Sequence, residues 1–152
     1  MKKIIFWILV LLWMTVIFSF SRQNGVESGN LSTSFSKIIV DFLLNKNKID
    51  INTYHSILSN VSFIIRKMAH FIEYLILSVL LNIAINTSFN YSLKKCFFIS
   101  LVLSIVYALT DEFHQFFING RNSSVIDVLI DFSGSIFGCL IYAFYDKVLR
   151  RN

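Results

Sequence analysis

The chain has no proline, only two cysteines and few charges, with Asp, Glu, Lys and Arg together making up 15% of its 152 residues. Each shortage excludes something. Without proline, no helix carries a proline kink. Cys96 and Cys139, each set in an apolar run, offer no disulfide framework and read as small buried hydrophobes. The scarcity of charge, beside 55% hydrophobic residues and a mean hydropathy of +0.65, leaves too little polar surface to cover a soluble domain. The net charge of +5 comes from dispersed basic residues, several of them flanking apolar runs, which fits anchoring at lipid headgroups and not nucleic-acid binding. No internal repeat or low-complexity tract is present.

What the chain does have is four long apolar segments, at about 4–20, 64–85, 96–117 and 125–145, against the roughly 20 residues a helix needs to cross a bilayer core of about 30 Å. The expected fold is a single all-α membrane domain over residues 1–152, with four transmembrane helices. The first segment follows Lys2-Lys3 and ends in Ser19-Phe20-Ser21, like a signal peptide with its cleavage site, but its longer apolar run favours an uncleaved helix. In the third, the uncharged run from Cys96 to Thr110 would rise only about 22 Å. To reach the other interface that helix must continue through Asp111, Glu112, His114 and Gln115, which places these polar groups below the headgroups, facing protein.

The loop at about 21–63 is patterned. Leu31, Phe35, Ile38, Ile39, Phe42 and Leu43 fall on one helical face, and after an Asn45-Lys46-Asn47-Lys48 break the pattern resumes in Ile51, Tyr54, Ile57, Leu58 and Val61. This predicts an amphipathic helical pair lying on the membrane or capping the bundle. Orientation rests on the basic flanks. With the N-terminus inside, Lys2, Lys3, Lys94, Lys95, Lys147, Arg150 and Arg151 are cytoplasmic, and Arg22, Lys37, Lys46, Lys48, Arg66, Lys67 and Arg121 are outside. The numbers tie, but the inside set is concentrated in short flanks and the first of these tends to dominate, so both termini are expected in the cytoplasm.

In that topology the outer ends of all four spans carry the unusual residues. Arg22 and Gln23 follow the first, Arg66, Lys67, His70 and Glu73 open the second, Asp111 to Gln115 end the third, and Asp127 and Asp131 begin the fourth. Arg66, His70 and Tyr74 share one helical face, and Asp127, Asp131 and Ser135 another. Gly134 and Gly138 form a small-xxx-small pair suited to close helix approach. Ionisable groups are expensive inside a membrane, so this one-sided cluster implies a single outward-facing polar pocket.

At these residues the chain resembles the VanZ-like membrane proteins. The resemblance is carried by Phe18-Ser19-Phe20-Ser21-Arg22-Gln23, by Arg66 to Tyr74, and most strongly by Asp111-Glu112-Phe113-His114-Gln115, Gly120-Arg121 and Asp127 to Gly134, with Gly138 beyond. No motif position departs from the pattern, and the long loop lies outside it. The resemblance implies an integral protein of the bacterial cell membrane, in a family whose named member is associated with low-level resistance to the glycopeptide teicoplanin. Some members carry a phosphotransbutyrylase label, for which this sequence shows no recognisable acyl-CoA or acyl-phosphate site.

Three chemistries compete for the pocket. In the catalytic one, His70, Glu73, Asp111, Glu112, Asp127 and Asp131 supply acid and base groups, while Arg121 with Arg66 or Lys67 clamps the phosphate of a lipid-linked envelope precursor. A divalent metal is a variant of this, with no ligand-spacing signature to support it. In the structural reading, Arg22, Arg66, Lys67 and Arg121 pair with the carboxylates and pin four helices together. In the third, the pocket binds a ligand or glycopeptide without reaction, as a scaffold or, in an oligomer, a transporter. Gln23, Tyr74, His114 and Gln115 complete the binding candidates: Gln23 as a helix cap or pocket group, Tyr74 and His114 more simply as packing and interface residues. His55 has no assigned role, and Trp7 and Trp13 are expected to face lipid or neighbouring helices.

Overall fold

A computed structural model describes residues 2–43, 50–121 and 124–149, with the side chains of 25–27 and 149 left undescribed. The Asn45–Lys48 break and the basic residues Lys46, Lys48, Arg150 and Arg151 lie outside these. Five helices follow one another: α1 (Lys2–Ser21), α2 (Gly25–Leu43), α3 (Ile51–Phe89), α4 (Leu93–Gln115) and α5 (Val125–Leu149). Four of them, α1, α3, α4 and α5, are long and apolar enough to cross a membrane. The protein is an all-α membrane protein.

The helix ends are written in local chemistry. The Asp50 carboxylate accepts the backbone N–H groups of Asn52 and Thr53 at 3.0 and 3.4 Å and starts α3. Asn90, in the left-handed region at φ 49°, stops it. Ser124 opens α5 by accepting the Ile126 N–H at 3.2 Å, and Gly120, at φ 75°, makes the turn before it. α4 ends at Gln115, so the third span does run on through Asp111 and Glu112, and stops just short of its expected end at 117.

At 39 residues, α3 rises about 58 Å, nearly twice the bilayer core. The second amphipathic stretch of the long loop is therefore not a helix apart but the N-terminal third of α3, continuous with its apolar part. With no proline or other breaker between Ile51 and Ile64, nothing stops the helix there. α2 folds back along it as an antiparallel partner: Tyr54 donates to Asp41 at 2.6 Å, Ser62 to Ser32 at 2.9 Å, and Arg66 to Ser32 at 3.4 Å.

In α2 it is the serine face that is buried. Ser32, Ser36 and Val40 pack inward, while Phe35, Ile38 and Phe42 on the apolar face are 60%, 69% and 88% exposed. Ser32 and Ser36 bond the carbonyls of Ser28 and Ser32 one turn back, so their hydroxyls cost little to bury and their small side chains let α2 approach α3.

α3 is the hub, contacting every other helix and α5 most extensively. That contact is made possible by Gly134 and Gly138. A Cβ on Gly134 would stand 2.2 Å from the Phe71 carbonyl oxygen, and one on Gly138 2.1 Å from Ser78 Oγ. Val10, Ile17, Leu77, Leu81, Ala84 and Ile85 form the apolar core. It is stitched by small polar groups: Asn82 donates to the Ser78 carbonyl at 2.9 Å and to Cys139 Sγ at 3.2 Å, and Ser100 donates to the Ser78 carbonyl at 3.4 Å. Cys96 and Cys139 are both buried and form no disulfide with each other.

Candidate functional site

The C-terminal parts of α1 and α4, the middle of α3 and the first half of α2 line a cavity of about 380 Å³. Its exposed lining is largely apolar, from Phe20, Leu31, Phe35 and Ile72, while His70, Asp111 and Gln115 line it from buried positions; Trp13, Ile17, Arg66, Glu73 and Arg121 complete the wall. Gln23 also lines it.

His70 and Glu73 come from one face of α3. Behind His70, on α5, Asp131 is fully buried, with Oδ1 3.4 Å from His70 Nδ1. The two atoms are close but not aligned as a hydrogen bond, and neither has another hydrogen-bond partner among the described residues. With Nδ1 turned toward Asp131, Nε2 is the nitrogen left for the cavity. The Gly134 contact is what lets α5 bring Asp131 this near, three residues away on the same helix. From α4, Asp111 Oδ2 accepts from Gln115 Nε2 at 2.9 Å, one turn along the helix, while Asp111 Oδ1 is buried without a partner among the described residues.

Arg121, in the α4–α5 connection, is built into the frame. It donates to the carbonyls of Ser21 and Phe20 at 3.2 Å each and to Ser28 Oγ at 3.1 Å, so one guanidinium caps the C-terminal end of α1 and ties it to α2. Three of its five N–H groups are spent this way, leaving two for the cavity it lines. Burial pushes the Arg121 pKa below its ordinary value, opposed by the nearby Asp111 carboxylate.

The remaining residues singled out in the sequence stand elsewhere. Lys67 and Asp127 form an ion pair between α3 and α5, outside the cavity lining. Glu112 accepts the Ser124 N–H at 2.9 Å and so caps the start of α5. His114 packs on the Phe18 ring, with centroids 4.8 Å apart. Tyr74 is buried below the cavity, 6.2 Å from the Tyr107 ring, and Tyr107 donates to the Met14 carbonyl at 2.7 Å. Arg22 is exposed. Among the described residues, no group of three or more His, Cys, Asp or Glu side chains is placed to hold a metal ion.

Sequence reading missed Trp13, which lines the cavity and donates its indole N–H to the Glu73 carbonyl at 2.9 Å. It also missed Ser28 and Ser32, which border the cavity from α2. Nothing local marks these residues, because their place depends on how α1 and α2 dock against α3.

The VanZ/LLP1 family model matches residues 6–146 of the chain. The chain belongs to the VanZ/LLP1 family. A search of curated proteins and one of solved structures each find no match. Within this VanZ/LLP1 chain every residue lining the cavity falls inside the family match.

Proposed function

We propose that this VanZ/LLP1 protein binds the phosphate-bearing end of a membrane-anchored envelope precursor in the outer leaflet and acts on it by proton transfer at His70. The observation that carries this reading is the cavity itself, whose exposed lining is largely apolar and whose buried lining includes the ionisable His70 and Asp111. A wholly lipid tail would leave the polar wall unpaired, and a soluble anion would gain nothing from Trp13, Ile17, Phe20 and Phe35. An amphiphile satisfies both.

The roles follow from position. Arg66 and the two free N–H groups of Arg121 offer positive charge to a phosphate. Asp131 orients His70 through Nδ1, leaving Nε2 to take or give a proton. Glu73 and Asp111 accept hydrogen bonds from hydroxyls of the head or share its protons. The cavity faces the extracytoplasmic side, by the charge of the short basic flanks. An effect on teicoplanin tolerance would follow from altered handling of such a precursor.

The experiment expresses the chain in a teicoplanin-susceptible bacterium and compares it with His70→Asn, Glu73→Gln and Asp111→Asn at matched membrane levels. The proposal expects the wild type to raise tolerance and the variants to lose it. Full tolerance in both carboxylate variants would sink the catalytic version. A second reading, a purely structural ion-pair network, is favoured only for Lys67 with Asp127, whose charges the fold matches; Glu112 gives one oxygen to the Ser124 N–H and keeps Oε1 buried without a partner among the described residues.

A further inference from the structure

A second cleft, of about 360 Å³, lies further out along α3, lined by His55, Ser59, Ser62, Phe63, Arg66 and, from α2, Thr33. Arg66 lines both this cleft and the cavity. At 100° per residue, His55, Ser59, Ser62, Arg66, His70 and Glu73 fall within one narrow stripe of α3 that runs about 27 Å from the outer helix to the buried wall. Such a stripe on a helix bordered by Phe63, Ile64 and Met68, all at least half exposed, is not explained by solubility alone.

We infer that the outer cleft is a subsite for a polyhydroxylated head, so that the ligand is a lipid-linked phosphate carrying a sugar-like group beyond its phosphate. This rests on the cavity reading above and extends it outward. The lining chemistry selects the occupant: Ser59 offers a hydroxyl that donates and accepts, Thr33, already bonded to Ser62, offers an acceptor, His55 offers ring nitrogens, and among the described residues no carboxylate lines the cleft to repel an anionic ligand. Continuity through Arg66 sets the order, with tail along the apolar lining, phosphate at Arg66 and Arg121, and polyol between His55 and Ser59. A phosphate with a short head would fill the cavity and leave the outer cleft unused.

The test uses the full chain in phosphatidylcholine nanodiscs doped with phosphatidylglycerol or phosphatidylinositol. Both are lipid phosphodiesters of the same charge, and they differ in the size of the polyol. Trp13, in the cavity wall, is the fluorescence reporter, isolated by Trp7→Phe. Phosphatidylinositol is expected to bind about tenfold more tightly than phosphatidylglycerol, the gain from one or two added hydrogen bonds. That ratio should fall to near one in Ser59→Ala and in His55→Ala, two exposed positions on the outer part of α3, with melting temperature recorded for each. A wild-type ratio near one, or a ratio unchanged in both variants, overturns the head subsite. Displacement of phosphatidylinositol by soluble inositol 1-phosphate at equal concentration would overturn the requirement for a lipid anchor. If Trp13 responds to neither lipid, the cavity reading falls with the subsite, a result distinct from binding without preference.

Discussion

Asp131 and Asp127 sit one turn apart on α5 and have different fates. Asp127 is matched by Lys67 from α3, whereas Asp131, fully buried, has among the described residues the imidazole of His70 as its ionisable neighbour within 4 Å. Asp127→Asn should strand Lys67 and lower stability by roughly 1–3 kcal/mol, less than the 3–5 kcal/mol of a fully buried pair, because the site is partly open. Lys67→Met combined with Asp127→Asn should recover most of that loss, as read by a double-mutant cycle on thermal unfolding in detergent. Asp131→Asn is nearly isosteric, so the expectation is a folded protein with the tolerance phenotype reduced to the level of His70→Asn. Unaltered tolerance would show that Asp131 does not act through His70.

Among the elements, the pairing of α3 and α5 decides the site. An added methyl at Gly134 or Gly138 meets backbone carbonyl oxygens at 2.2 Å, and a helix backbone has nowhere to move except away. Gly134→Ala should therefore destabilise by roughly 1–3 kcal/mol and also part His70 from Asp131. Gly138→Ala, further from the outer end, should cost similar stability with less effect on function. Unfolding and tolerance measured on the same pair of variants would separate the two, and equal functional loss in both would argue against a local effect on His70. The small-xxx-small spacing was visible in the sequence; which helix it faced was not. The long loop shows the same limit. Its two amphipathic faces were legible by period, but the fusion of the second to α3, and the burial of the serine face of α2, depend on a neighbouring helix that offers Ser62 and Arg66.

Across the whole molecule, orientation is the property that tests most directly. The native cysteines are both buried, so an introduced thiol stands out against them. Ser59→Cys, on the outer part of α3, should be labelled by a membrane-impermeant maleimide in intact cells, and Lys94→Cys, at the start of α4, only after lysis. The reverse pattern would turn the cavity to the cytoplasm and remove an outer-leaflet precursor as its ligand.

Hydropathy and spacing alone determined four spans, the extension of the third through Asp111 and Glu112, and the gathering of ionisable residues at one side, because the cost of placing backbone and charge in lipid acts on every residue through its position in the chain. The division of labour inside that cluster came only with tertiary structure. Lys67 pairs with Asp127, Glu112 accepts from Ser124 and Arg121 bonds the end of α1, while His70, Glu73, Asp111 and Arg121 itself line the cavity. Pairing in three dimensions depends on which helix faces meet, and that is set by the close approach of α5 to α3 and by the docking of α2, neither of which any single segment encodes.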